Sequence, residues 1–273
     1  MNVLFTLLRK HLGESRWLIG LSCAALFGIS ILTVWLASFV EQSFPTGGVP
    51  TNPERFRFLS ALGGQQMDNS TAAIEVCWWN HPFIVLIILG WVFARGSGVV
   101  SGEIERGTID LTLSRPISRS IYLTSQILFS ILGLILLATA LILGNLVATP
   151  FFKLISPPGL LTLLKPAANL VAMGMAVFGY TMPFSTIDVV RWRAALIAVA
   201  ITLLGIVGLT LSPIFPDYKW LERISIFQFY APVAVVIKGE PLLYNSTILL
   251  LVFGVGAGLS YWSFSRRDLP SNS

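Results

Sequence analysis

From Ser120 to Phe152 the chain carries no charged side chain. As one helix that run would be about 50 Å long at 1.5 Å per residue, well beyond the ~30 Å hydrocarbon core of a bilayer. A soluble domain has no place to hide such a stretch. A membrane helix that tilts, protrudes or breaks does accommodate it, and Pro150 is the expected end. The rest of the chain agrees. Of 273 residues, 55% are hydrophobic and 11% charged, and the mean hydropathy is +0.78. Soluble domains sit near 45–50% apolar with about a quarter charged.

The sequence therefore predicts an all-α integral membrane protein, a single transmembrane domain over 1–273. Its six transmembrane helices are expected at about 17–40, 80–100, 120–148, 167–187, 194–213 and 243–264. Threading them from an N-terminus in the cytoplasm puts Arg9, Lys10, Arg16, Arg95, Arg106, Arg115, Arg119, Arg191, Arg193, Arg266 and Arg267 inside. Arg55, Arg57, Lys153, Lys165, Lys219, Arg223 and Lys238 then fall outside. Eleven basic residues against seven predicts both termini cytoplasmic. The net charge of +5 thus reads as membrane orientation, and no basic stripe with interleaved aromatics points to nucleic acid.

Ahead of the first span, residues 2–15 place Val3, Leu4, Phe5, Leu7, Leu8 and Leu12 on one arc and Asn2, Thr6, Arg9 and Lys10 on the other. That pattern predicts an N-terminal interfacial helix in the headgroup plane. The apolar start MNVLFTLL, followed by Arg9 and Lys10, is too short and wrongly ordered for a cleavable signal. The segment 41–79, rich in turn residues, and the segment 214–242, interrupted by Pro216, Pro232 and Pro241, are expected outside. A seventh span is not expected in the latter, because Lys219, Glu222, Arg223 and Lys238 leave no adequate charge-free run. Cys23 and Cys77 imply no disulfide framework.

Signatures of an active site are missing from the sequence. There is no G-x-x-x-x-G-K-[ST] phosphate loop, no H-E-x-x-H and no G-x-S-x-G. The run GSGVVSG at 96–102 fails the dinucleotide pattern. His11 and His81 are expected at opposite faces, so no metal site is expected, nor a cofactor in this chain. Polar groups within the spans are few. Arg95 is expected to snorkel to the cytoplasmic edge, the alternative being a charge lining a polar path. Asn145 and Asn169 are expected to bond between helices or to line that path. Gly254 and Gly258 form a G-x-x-x-G around Gly256.

Against this background one short stretch stands apart. GEIERGTIDLTLSRPISRS, 102–120, packs Glu103, Glu105, Arg106, Asp110, Arg115 and Arg119 between two long apolar runs. A membrane protein that concentrates charge in one loop has a soluble partner to present it to, unless the loop is simply solvated. Glu103 and Glu105 suit the N-terminus of a short helix there and Arg115 its C-terminus. Pro116 would end it, and Gly107 would let another backbone approach.

The run E-x-E-x-G-T-x-D-x-x-L-S-R-P-x-S-R, from Glu103 to Arg119, in a six-span chain ending Arg266-Arg267-Asp268, resembles the membrane subunit of type 2 ABC exporters, the ABC-2 type transporter permeases. The resemblance implies that 101–120 is a coupling loop docking into a separate ABC ATP-binding subunit, which binds the ATP and Mg²⁺. On this reading the docking residues are Glu103, Glu105, Arg106, Gly107, Thr108, Asp110, Leu111, Arg115, Pro116 and Arg119. It further implies a second permease subunit, in a homo- or heterodimer, with the solute passing between the two, and a place in a bacterial inner membrane among its lipids. Arg95, Asn145 and Asn169 are then the candidates for the substrate path. The competing class is a non-transporting membrane anchor or assembly factor that recruits a soluble partner through the same loop. A membrane enzyme acting on lipid lacks paired catalytic groups here.

Overall fold

The computed structural model describes residues 3–43, 78–108, 117–152, 154, 157–212, 215, 220–237 and 239–267. All regular structure among them is helical. In chain order the elements are α1 (Val3–Ser43), α2 (Pro82–Gly96), α3 (Ser101–Glu105), α4 (Arg119–Ala148), α5 (Leu160–Ile187), α6 (Arg191–Leu211), α7 (Trp220–Ile224), a 3-10 turn (Ile226–Phe229), α8 (Pro232–Ile237) and α9 (Leu242–Arg266). Five of them, α1, α4, α5, α6 and α9, are long and apolar enough to cross a membrane, which makes this a membrane-embedded, multi-pass protein.

The long charge-free run forms one unbroken helix. The Ser118 hydroxyl accepts from Ile121 N and starts α4, satisfying an otherwise orphaned donor. Its 30 residues end at Ala148, and Thr149 and Pro150 make a turn, where proline was expected to stop it. The weak second span is shorter than expected. His81 caps α2, its ring accepting from Phe83 N, with Pro82 in the first turn, but the helix has 15 residues. That is about 22 Å, less than a hydrocarbon core. After Gly96 the chain turns through Ser97 to Val100 and enters α3.

The start of the chain corrects the expectation. There is no separate interfacial helix: α1 runs through 41 residues without interruption, about 60 Å of helix. Nothing between Arg9 and Trp17 breaks the ladder. Lys10, His11 and Ser15 have partners on α3, α4 and α2 respectively, while Arg9 is exposed.

Packing puts α4 and α5 in the middle. More than half of each apolar stretch is buried, against about a fifth for α6 and α9. α1 lies along α4 and α9 along α5. The core includes Ile88, Trp91, Leu134, Leu137, Leu170, Met173 and Phe178. α5 and α9 meet backbone to backbone: a Cβ on Gly256 would lie 2.0 Å from Gly179 O, and one on Gly179 would lie 2.5 Å from Phe253 Cα. The middle glycine of the Gly254/Gly258 motif makes the contact, while a Cβ on either flanking glycine would meet nothing within 4 Å. Between α6 and α9 the described elements, α7, the 3-10 turn and α8, are short. Asn169 ties this region down, donating from Nδ2 to Phe229 O at 3.0 Å and accepting from Ala231 N at 3.0 Å.

Candidate functional site

The starts of α1, α4 and α6 and the ends of α2, α5 and α9 share one end of the bundle. Apolar side chains cannot hold the chain turns there, and polar ones do. The serines after α2 fold the backbone over. Ser97 Oγ donates to Phe93 O at 2.6 Å and Ser101 Oγ to Ser97 O at 2.6 Å. Ser185 of α5 accepts from Val100 N and Ser101 N at 3.1 and 3.2 Å and donates to Ser97 O at 2.9 Å. Tyr122 of α4 donates to Val99 O at 2.6 Å and accepts from Gln126 Nε2 at 2.9 Å. The turn is thereby fastened to α4 and α5.

α3 and its C-terminal turn are held by their own charges. Glu103, with 3% of its side chain exposed, meets Lys10 Nζ of α1 at 3.0 Å and accepts from the Thr108 hydroxyl at 2.7 Å. Glu105 Oε1 accepts from Arg191 N, the first residue of α6, at 2.9 Å, a carboxylate on a helix N-terminus where the dipole favours it. Gly107 N donates to Ile104 O at 2.9 Å and Thr108 N to Glu103 O at 3.0 Å. This pair of bonds is the Schellman closure, which requires a left-handed residue, and Gly107 has φ +65°.

Glu103 is buried inside the protein, whereas Glu105 is exposed and bonds the start of α6. Gly107 ends a short helix, although nothing lies within 4 Å of where its Cβ would be, so the space around it is open. Arg106 is half-exposed and approaches Glu14 at 3.9 Å. Thr108 is partly buried against Glu103. Asp110, Leu111, Arg115 and Pro116 lie outside the described residues.

Arg119, at the other side of that segment, is a clasp. Its Nη1 donates to Phe264 O at 2.9 Å and Arg267 O at 2.7 Å, closing the end of α9. Arg267 donates in turn to Thr186 O at 2.7 Å and Asp188 O at 3.1 Å, closing the end of α5. Burial lowers the Arg267 guanidinium's pKa, with Asp188 opposing.

Arg95 lines a polar cavity, the alternative to snorkelling along the surface. It turns inward, donating from Nη1 to Ser15 Oγ of α1 at 3.1 Å and from Nη2 to Gln126 Oε1 of α4. Its guanidinium lies over the Phe129 ring, 4.8 Å from the centroid. The cavity, of about 290 Å³, is also lined by Glu14, Glu103, Arg106, Gln126 and Arg191. The structure does not gather the three candidate path residues. Gln126 and Asn145 are 19 positions apart on α4, roughly 28 Å along the helix, and Asn169 serves the turn at 229–231.

Sequence reasoning overlooked Lys10, Glu14, Tyr122, Gln126 and Arg191 as members of this cluster. The signals were present. Lys10 and Glu14, and Tyr122 and Gln126, are i, i+4 pairs on one helix face, and Gln126 is an amide inside a charge-free run. No family model matches the chain, and no curated protein matches it.

Proposed function

We propose that the chain is the transmembrane permease subunit of an ATP-driven ABC transporter, an exporter of the type 2 class, whose 101–120 segment couples it to a separate ATP-binding subunit. Two such membrane chains, identical or not, would flank the solute, and the partners would bind ATP and Mg²⁺. The observation that carries this reading is mechanical. The turn and helix from Ser97 to Thr108 bond to α1 through Glu103, to α4 through Val99, to α5 through Ser101 and to α6 through Glu105. A force applied to that segment reaches four helices at once, which a coupling element needs and a merely solvated loop does not. Across the undescribed residues 109–116, Arg119 adds α9.

Because Glu103 is buried inside the chain, Asp110 and Arg115 are the charges chosen to test docking. The protein isolated from its own membranes should bring an ATP-hydrolysing chain with it, in a mass fitting two of each. Asp110→Lys with Arg115→Glu should abolish that association while the membrane chain remains inserted. Isolation without any ATP-hydrolysing chain, or unchanged association in the double variant, would overturn the proposal.

A further inference from the structure

The charges around the polar cavity are unevenly satisfied. Glu14 and Glu103 are engaged: Lys10 reaches both, at 3.8 and 3.0 Å, and Arg106 adds a 3.9 Å contact to Glu14. The two arginines opposite them have neutral partners. Arg95 meets a serine hydroxyl and a glutamine carbonyl, and its Nε is enclosed with no acceptor. The Arg191 side chain donates to Ala94 O at 2.9 Å and reaches Ser97 Oγ at 3.5 Å. Neither has a carboxylate within ion-pair distance among the described residues. A guanidinium withdrawn from water without a counter-charge is costly; Arg95 is largely enclosed, and the partly buried Arg191 faces the same cavity. About 290 Å³, at roughly 30 Å³ per water, leaves room for an oxyanion with part of its hydration.

Depth decides what kind of anion can reach it. Arg95 is the first charge after the apolar run of α2, and Gln126 lies seven residues after Arg119 on α4, about 10 Å along the helix. The cavity therefore sits at the boundary between apolar and charged zones, where lipid phosphates lie. Guanidinium forks match phosphate oxygens in pairs.

We propose that this cavity binds a phosphate oxyanion between Arg95 and Arg191, carried by an anionic lipid headgroup or by a small soluble phosphate. The site does not depend on the transport reading. An anion there would bridge α2 to the start of α6, two elements that α3 already joins.

The test uses the full chain in nanodiscs. Phenylglyoxal modifies accessible arginines, and mass spectrometry reports the rate at each one. Arg193, which lies over Trp192 and does not line the cavity, is the internal reference. Phosphatidylglycerol replacing phosphatidylcholine should slow modification of Arg191 about tenfold relative to Arg193, the scale of one charge-assisted contact. Slowing by phosphatidylglycerol but not by millimolar inorganic phosphate in phosphatidylcholine assigns the oxyanion to a headgroup. Slowing by inorganic phosphate assigns it to a soluble ligand. Equal rates at Arg191 under all three conditions would overturn the proposal, and this reading needs no variant. In Arg95→Gln the protection of Arg191 should fall about tenfold if that protein folds, and undiminished protection there would also refute the paired site.

Discussion

The middle of the bundle and its charged end are joined by different physics. Between α5 and α9, Gly179 and Gly256 bring two backbones together so closely that a Cβ would lie 2.0 Å from a carbonyl oxygen. That contact is steric, and it tolerates no alternative geometry. At the charged end no such approach fixes α3. Lys10, Glu103, Glu105 and Ser185 hold it with side-chain hydrogen bonds, and Tyr122 holds the turn before it. Such links can lengthen, exchange partners or take up a ligand. In a membrane, where apolar association gives no advantage over lipid, the tight seam keeps helices together and the polar end is the place where they can be re-set.

The sharpest way to break this comparison is at the seam. Gly256→Val should leave no room for α9 on α5, since the obstruction is backbone. Cores lose about 1–3 kcal/mol or more to overpacking, and this site lies at the upper extreme, so little folded protein should be recovered in detergent. Gly254→Ala and Gly258→Ala face open space and should stay within about 0.5 kcal/mol of the parent. If size-exclusion profiles of all three were alike, the seam would not be the rigid element.

At the charged end single changes should cost less and be repairable. Lys10→Met leaves the Glu103 carboxylate enclosed without its cation. Breaking a buried pair costs about 3–5 kcal/mol, and the partly exposed lysine and the Thr108 hydroxyl reduce this to about 2 kcal/mol. Adding Glu103→Gln should restore most of the lost thermal stability. No such rescue exists for Gly256→Val, so an unrepaired double variant would remove the distinction between the two regions.

Arg119→Ala should cost about 1–2 kcal/mol, the scale of two lost charged hydrogen bonds to partly solvated carbonyls. Its signature is local: amide exchange should rise at the end of α9, around Phe264 to Arg267, and stay unchanged at Gly179. Faster exchange along the whole of α9 would mean that the clasp, not the glycine seam, positions that helix.

How much of this could be read from sequence follows the same division. The five long helices and the stop at Pro150 were legible because charge-free runs and proline act locally. The positions of Arg95 and Glu103 were not. Rules for isolated charges, snorkelling and display, do not say that partners distant in sequence hold these side chains: Gln126 and Ser15 for one, Lys10 for the other. The interfacial helix failed for a related reason. The polar arc of 2–15 resembles a membrane-surface face, but Lys10 of that arc, with His11 and Ser15 beyond it, finds polar side chains of α3, α4 and α2, and the helix continues without a break into the first span. The glycine motif in α9 was recognised while its contacting residue was missed, since spacing does not say which face meets a neighbour.

An effect of similar size discriminates most finely between internal and external roles of the charged segment. Gly107 closes α3 at φ +65°, a conformation that costs a residue with a Cβ about 1–2 kcal/mol, with asparagine among the exceptions. A bulky residue there would damage both the closure and any docking surface, so a lost interaction would not say which was responsible. Gly107→Ala and Gly107→Asn separate them. Both add a side chain to space that is open, and asparagine tolerates the left-handed backbone better. If Gly107 serves the closure, alanine should lower the thermal midpoint and loosen Thr108 in amide exchange, with asparagine close to the parent. If it also provides a surface for the proposed ATP-binding partner, both variants should weaken association, asparagine at least as much as alanine because it is larger. Normal association in both, with alanine alone destabilised, would confine Gly107 to ending the helix and leave docking to residues 109–116.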